Sequence, residues 1–244
     1  MSAKGDRMMK NTLGKAVALT VAILPVQVEA GGKDDPLLTM LTIDQLEKRD
    51  TSSSKPLAWE LQGWVGYDLD KFVFKTEGER AEGETEKAEL QLLYGKAITP
   101  FWDVQLGIRH DFHPKPTQNW AVVALQGVAP YYFETDVSFF IGENNQSGLR
   151  LQSEYEIMLT QQWVLSPEIE LNLYSQNDEK RGIGSGLSGI ETGLRLHYEF
   201  KREFAPYIGI NWEKKFGKTA DYAREEGEGK SDAQFVIGIR AWLL

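Results

Sequence analysis

Three histidines and two methionines are the residues of this sequence best suited to bind a soft or borderline metal ion. His110 and His113 lie three positions apart, His197 stands alone, and the methionines beyond residue 30 are Met40 and Met158. Imidazole nitrogen suits Cu(II) and Zn(II), whereas the thioether of methionine suits Cu(I). Two histidines are too few for a complete site, and surface histidines and gap-filling methionines are the more common explanations. Both interpretations of these residues stay open.

Four carboxylates offer oxygen ligands and negative charge. Glu154 and Glu156 alternate along one segment, and Glu168 and Glu170 alternate along the next. Residues two apart on a strand face the same side, so the four carboxylates are expected to share one face. We predict that this face attracts cations. In this hypothesis, His197 and Met158 lie close to Glu154 on neighbouring strands.

Other kinds of chemistry find little support in the sequence. Cysteine is absent, which excludes disulfides, thiolate metal clusters and catalytic thiols. The glycine-rich run 181–186 lacks the Gly-Lys-Ser/Thr ending of a phosphate-binding loop, and the Gly-x-Ser-x-Gly pattern of serine hydrolases does not occur. The formal net charge of −9 argues against a nucleic-acid partner. We expect no catalytic residue and no organic cofactor.

The alternation of apolar and polar side chains predicts the elements that position these residues. Residues 149–159, 163–174 and 190–200 alternate with a period of two, which predicts strands with one apolar and one polar face. These segments run about 10–13 residues, whereas strands of soluble domains average about 5–6 and membrane-spanning strands need about 9–11. Aromatic residues near the segment ends are typical of a membrane interface. A soluble sandwich with an aromatic core is the alternative.

The connections between the segments predict a barrel. Eleven strands follow residue 56, and the joints between them alternate between short and long, with a long one around residues 80–85. Short turns on one rim and long loops on the other describe an all-β transmembrane antiparallel β-barrel with periplasmic turns and extracellular loops.

Parity requires one more strand. Bacterial single-chain barrels have even strand numbers, so we assign residues 38–47 as the twelfth strand. Leu41, Ile43 and Gln45 are expected on one of its faces, opposite Met40, Thr42 and Asp44. Residues 44–49 form a helical turn in the alternative interpretation.

The first thirty residues are typical of an export signal. A basic start precedes an apolar stretch from Ala16 to Leu24, and Val28-Glu29-Ala30 offers a cleavage site. We predict a signal peptide over residues 1–30, a short linker over 31–36 and the barrel over 37–244. The predicted location is the outer membrane of a diderm bacterium, where a monomeric barrel contacts lipid. A buried N-terminal helix is the alternative for the first segment.

Alternation also predicts an excess of carboxylates inside the barrel. The acidic residues expected to face the lumen are Glu60, Glu77, Glu79, Glu89, Asp103, Asp111, Glu134, Asp136, Glu154, Glu156, Glu168, Glu170, Glu191, Glu199 and Glu213. The basic residues expected there are Lys75, Arg109, Arg150, Arg195, Lys215 and Arg240. Excess negative charge favours the binding or passage of cations. A network of Glu–Arg pairs that fills a closed barrel is the alternative.

Several longer runs resemble the copper resistance protein B family. They are residues 75–80 (KTEGER), 89–94 (ELQLLY), 167–174 (PEIELNLY), 181–188 (RGIGSGLS), 203–209 (EFAPYIG) and 215–220 (KFGKTA). The resemblance covers roughly residues 35–244 and implies an outer-membrane barrel that binds copper and takes part in copper resistance or homeostasis. It does not imply an enzyme. Family members often carry a segment rich in methionine and histidine ahead of the barrel, whereas residues 31–36 alone separate leader and barrel here.

Three functional hypotheses follow. In the first, the barrel binds copper ions in its acidic lumen or lets them pass, with the carboxylates supplying negative potential and His197 and Met158 supplying softer ligands. In the second, a closed barrel that conducts nothing anchors periplasmic copper-handling proteins. In the third, serine and histidine on the barrel wall form an outer-membrane hydrolase.

Overall fold

The described part of the protein is almost entirely β-strand. A computed structural model describes residues 36–51 and 54–244. The predicted signal peptide and all but the last residue of the predicted linker lie outside these residues. The strands are β1 (Leu38–Asp50), β2 (Leu57–Gly66), β3 (Asp70–Ala81), β4 (Glu84–Thr99), β5 (Trp102–His113), β6 (Gln118–Ala129), β7 (Phe133–Gly142), β8 (Ser147–Glu154), β9 (Ile157–Met158), β10 (Trp163–Tyr174), β11 (Gly186–Tyr198), β12 (Phe204–Lys215) and β13 (Ser231–Leu243).

The strands close into a twelve-stranded antiparallel barrel. Each strand pairs with its neighbour in sequence, and β1 pairs with β13 from Leu41 opposite Leu243 to Asp50 opposite Phe235. Segments β8 and β9 both pair with the same edge of β10 and are two parts of one barrel strand. The prediction of twelve strands is confirmed, and the closed ring excludes the alternative of a two-sheet sandwich.

The two rims differ in their connections. Short turns join β2 to β3, β4 to β5, β6 to β7, β9 to β10 and β11 to β12. The opposite rim carries longer loops, among them residues 175–185 and the segment that contains helix α1 (Gly217–Glu225). Among residues 36–51 and 54–244, the helices are too short or too polar to cross a lipid bilayer. The short-turn rim is the periplasmic one by the usual rule for bacterial barrels.

One joint on the long-loop rim is shorter than predicted. Strands β3 and β4 are joined by only Glu82 and Gly83, so the long connection expected around residues 80–85 is wrong. Both residues have positive φ angles, 50° and 94°. Tight hairpin turns of this kind need positive φ at both central positions, which explains the glycine.

The two faces of the barrel wall have opposite character. Large apolar side chains such as Phe72, Ile108 and Ile210 are exposed on the outside, each by more than half of its surface. Fully buried side chains on the inside include polar residues such as Gln105 and Asn211. A polar interior with an apolar exterior is the pattern of a barrel that lies in lipid.

A bulge in β1 changes which residues face the lumen. The register shifts between Ile43 and Gln45 against β2, and between Ile43 and Leu46 against β13. An extra residue in a strand reverses the faces of all residues that follow. The expectation that Gln45 shares the face of Leu41 and Ile43 is therefore wrong, and Asp44 and Gln45 both line the lumen. Residues 44–49 are strand, not a helical turn.

The lipid-facing wall makes a testable prediction. Ile108 lies near the middle of β5 with 61% of its surface exposed. The variant Ile108→Lys should destabilise the barrel by about 2–4 kcal/mol, because a charge at the bilayer midplane is not solvated. Guanidinium unfolding in lipid vesicles measures this, with Thr117→Lys on the β5–β6 loop as control. Equal stability of the two variants would contradict a wall embedded in lipid.

Candidate cation site in the barrel lumen

A cavity of about 280 Å³ occupies the lumen on the side of the short-turn rim. We call it the lower cavity. Glu134, near the start of β7, and His197, near the end of β11, line it next to this rim. Its eight carboxylates are Asp44, Glu60, Glu77, Glu89, Glu134, Asp136, Glu154 and Glu168, and its four bases are Lys75, Arg150, Arg195 and Arg240. The predicted excess of negative charge is present here.

A second cavity of about 100 Å³ lies towards the long-loop rim. This upper cavity shares Gln45, Glu60, Glu77 and Glu168 with the lower one, so the two are adjacent along the lumen. Its seven carboxylates are Glu60, Glu77, Glu79, Glu168, Glu170, Glu191 and Glu213, and its two bases are Arg49 and Lys87. Carboxylates thus continue from the lower cavity towards the outer loops.

Two buried ion-pair networks flank these cavities. The first, the Arg150 network, joins walls β3, β4, β5 and β8. Arg150 lies 2.9 Å from Glu77 and 3.0 Å from Glu89, and Arg109 lies 2.7 Å from Glu89 and 2.6 Å from Asp111. The outer loop adds Arg181, which lies 2.5 Å from Asp111. The guanidinium of Arg109 also lies 4.6 Å from the ring centre of Phe140.

The second, the Arg195 network, ties β11 to β1. Arg195 lies 2.9 Å from Glu47 and 2.6 Å from Glu168. Glu47 also pairs with Arg49 at 2.8 Å and accepts a hydrogen bond from the Tyr207 hydroxyl at 2.9 Å. Glu47 is 1% exposed. Each carboxylate oxygen and guanidinium nitrogen that is so deeply buried needs such partners, because desolvation of an unpaired charge is costly.

Five other lumen carboxylates have no such partner. They are Asp44, Glu60 and Glu134 in the lower cavity and Glu79 and Glu213 in the upper cavity. None of these side chains forms an ion pair or a hydrogen bond with a residue in the described part of the chain. Glu60 lines both cavities, and it shares the lower one with Asp44. Uncompensated negative charge is therefore concentrated where the cavities meet.

His197 is the buried histidine of the lumen. It is 4% exposed, lines the lower cavity and packs against Tyr207 with 4.7 Å between ring centres. Neither of its ring nitrogens has a hydrogen-bond partner within the described ranges, and the same holds for the hydroxyl of Ser166 on the adjacent strand. Buried polar atoms in proteins are nearly always paired, so these atoms are available to a ligand in the cavity.

The four predicted carboxylates are divided among three places. Glu154 and Glu168 line the lower cavity with His197, and Glu170 lines the upper cavity. Glu156 lies at the short-turn rim, where it pairs with Arg240 at 2.6 Å. No group of three or more histidine, aspartate and glutamate side chains within residues 36–51 and 54–244 is already arranged to hold a metal ion.

The methionines do not join this group. Met158 was expected to face the lumen with His197, but it is 73% exposed at the periplasmic rim, on β9, beyond the break that separates β8 from β9. The pairing of β7 with β8 begins at Glu134 opposite Glu154, so no strand in the described part of the chain lies beside Met158 on that side. Met40 lines neither cavity. The expected convergence of Met158 and His197 on Glu154 is therefore wrong for the methionine.

The outer histidines lie at the end of β5, and neither lines a lumen cavity. His110 hydrogen-bonds to Asn119 at 2.7 Å and packs against Phe112 with 4.5 Å between ring centres, on the lipid side. His113 is paired with Ala88 of β4, beyond a register shift that lies between Ala88 and Glu89, so regular alternation does not hold from His110 to His113. In the part of the chain that the structure describes, no histidine hydrogen-bonds a serine, so the pair required by the hydrolase hypothesis is not formed.

Several residues of the lumen are not among those that the sequence predicts there. Glu47 and Arg49 follow the bulge in β1, which no sequence pattern marks. Arg181 lies on an outer loop that folds into the barrel. Lys87 has the same parity as Glu89 on β4, so alternation alone was sufficient to find it.

The comparisons with known proteins agree with this geometry. A family model described as copper resistance protein B precursor matches residues 37–243. The chain belongs to the copper resistance protein B family. It is 44% identical to copper resistance protein B of Escherichia coli over 86% of this chain and 71% of that protein. It is 45% identical to the copper resistance protein B homolog of Pseudomonas syringae pv. tomato (strain ATCC BAA-871 / DC3000), with the same coverage.

A solved structure supports the fold. The NanC porin aligns with a TM-score of 0.57 and 14% identity, covering 84% of this chain and all of that one. The family match confirms the resemblance to the copper resistance protein B family, and the barrel fold is that of an outer-membrane protein. The relatives are named for copper resistance and not for an enzymatic activity.

The contrast between paired and unpaired carboxylates makes a second prediction. Glu47→Gln leaves Arg195 and Arg49 buried with too little negative charge and should destabilise the barrel by about 3–5 kcal/mol. Glu60→Gln removes repulsion among carboxylates and should leave stability unchanged or raised. Denaturant unfolding of both variants in vesicles compares them. If Glu60→Gln were as destabilising as Glu47→Gln, Glu60 would be a structural member of a network.

Proposed function

We propose that this barrel binds copper ions in its lower cavity. The observation that carries the proposal is that one cavity holds carboxylates, and a buried histidine with two ring nitrogens, that have no ion-pair or hydrogen-bond partner among residues 36–51 and 54–244. Copper is the metal that the family name indicates. The carboxylates of Asp44 and Glu60 supply negative potential, and Glu154, Glu168 and His197 supply further ligands.

The donor set favours Cu(II). Imidazole and carboxylate oxygen are ligands of Cu(II), whereas Cu(I) prefers thiolate and thioether. Met158 is on the rim and Met40 lines neither cavity, so thioether does not contribute to this site. Arg195 and Arg240 line the same cavity as His197, and the carboxylates offset their charge. Copper binding in this proposal requires carboxylate side chains to rotate towards the imidazole.

A different observation supports a second function, the anchoring of periplasmic proteins. The Arg150 and Arg195 networks fill part of the lumen with fixed side chains, as in small closed barrels. A closed barrel that anchors periplasmic copper-handling proteins at the short-turn rim fits that filling. Capture of such a partner by a barrel that binds no copper in its lumen would favour this second function.

Titration of the refolded barrel with Cu(II) tests the first function. The paramagnetic resonance spectrum of bound Cu(II) should show nitrogen coupling that is lost in His197→Gln. The double variant Asp44→Asn/Glu60→Gln should bind copper roughly 10–100-fold more weakly, the range found when groups that support a metal site are removed. His110→Gln is the matched control because its ring lies on the outer wall. Unchanged affinity in the double variant and unchanged coupling in His197→Gln would overturn the proposal.

A further inference from the structure

Lys87 is the cation of the upper cavity that is held least firmly. Its ammonium lies 2.7 Å from Glu77, its one ion-pair partner within the described residues, and 42% of its side chain is exposed. The other base, Arg49, is 9% exposed and is clamped between Glu47 at 2.8 Å and Glu191 at 2.9 Å. Arg49 is therefore part of the wall, whereas Lys87 extends into the cavity on a flexible stem.

The charge of Lys87 is shared among several carboxylates. Lys87 pairs with Glu77 of β3 and lines the upper cavity together with Glu170 of β10, Glu191 of β11 and Glu213 of β12. Glu213 has no ion-pair partner in the described part of the chain. An ammonium in this position partly neutralises the carboxylates of four strands, as a mobile cation would.

We propose that Lys87 is a tethered counter-ion that limits the passage of cations between the lower cavity and the outer loops. A cation that moves from the lower cavity past Glu60 into the upper cavity meets carboxylates that the ammonium of Lys87 already partly neutralises. It must displace the ammonium or cross next to it against like-charge repulsion. This inference goes beyond the proposed copper binding, because it concerns movement of any small cation through the upper cavity.

Removal of the ammonium charge tests the role. The full-length barrel is placed in planar lipid bilayers with KCl, and the conductance and the reversal potential in a KCl gradient are measured. Lys87→Gln should raise the conductance about tenfold, the lower end of the range in which charge focusing acts, and should shift the reversal potential towards that of K⁺. Lys87→Arg should behave as the unmodified protein. Lys55→Gln, on the exposed β1–β2 loop, is the matched control.

A thiol at the same position separates charge from folding. The sequence has no cysteine, so Lys87→Cys introduces a unique thiol that is modified after the barrel has folded. An aminoethyl thiosulfonate reagent restores an ammonium and should return the conductance to the unmodified level. A methyl thiosulfonate reagent adds no charge and should leave the conductance high.

Three results would overturn the inference. They are a conductance of Lys87→Gln no higher than that of the unmodified protein, an equal rise in Lys87→Arg, and equal effects of the two reagents on Lys87→Cys. The copper titration of the lower cavity does not depend on any of them, so failure of this inference and failure of the proposed function are distinguishable.

Discussion

Every charge in the lumen must be met by an opposite charge, a hydrogen bond or water, because the surrounding wall is apolar and faces lipid. This constraint explains the two buried networks. Glu89 pairs with both Arg150 and Arg109. Glu47 pairs with both Arg195 and Arg49. One buried carboxylate thus neutralises two guanidinium groups in each network. The networks link strands that are distant in sequence and hold the barrel in a fixed cross-section.

The carboxylates outside the networks are the basis of the proposed cation binding in the lumen. Glu60 lines both cavities and Asp44 lines the lower one, and neither forms an ion pair with any residue that the structure describes. A cation supplied by the solvent satisfies the same constraint that the arginines satisfy elsewhere. Stability and ion binding therefore rest on one physical requirement, and the difference between them is whether the counter-charge is covalently attached. Lys87 is intermediate, since it is attached by a flexible side chain.

Much of the fold was predictable, because alternation with a period of two reports the environment of every strand residue. Parity alone places Glu60, Glu168 and Arg195 in the lumen, and turn residues mark the ends of most strands. The failures have physical reasons. The bulge after Ile43 is an insertion that alternation cannot register, so Gln45 was assigned to the wrong face. Met158 follows parity, but its exposure depends on where β7 begins. Local periodicity predicts neither the pairing of residues distant in sequence nor the insertion of an outer loop into the barrel, which brings Arg181 into the lumen.

We expect a bound cation at the lumen carboxylates that have no ion-pair partner among the described residues. Anomalous diffraction from crystals soaked in Cu(II), collected on both sides of the copper absorption edge, locates such an ion directly. The account predicts a copper peak inside the lower cavity, within bonding distance of His197 or of the carboxylates of Asp44 and Glu60. Copper peaks confined to the outer wall or the loops, with none in the lumen, would contradict it.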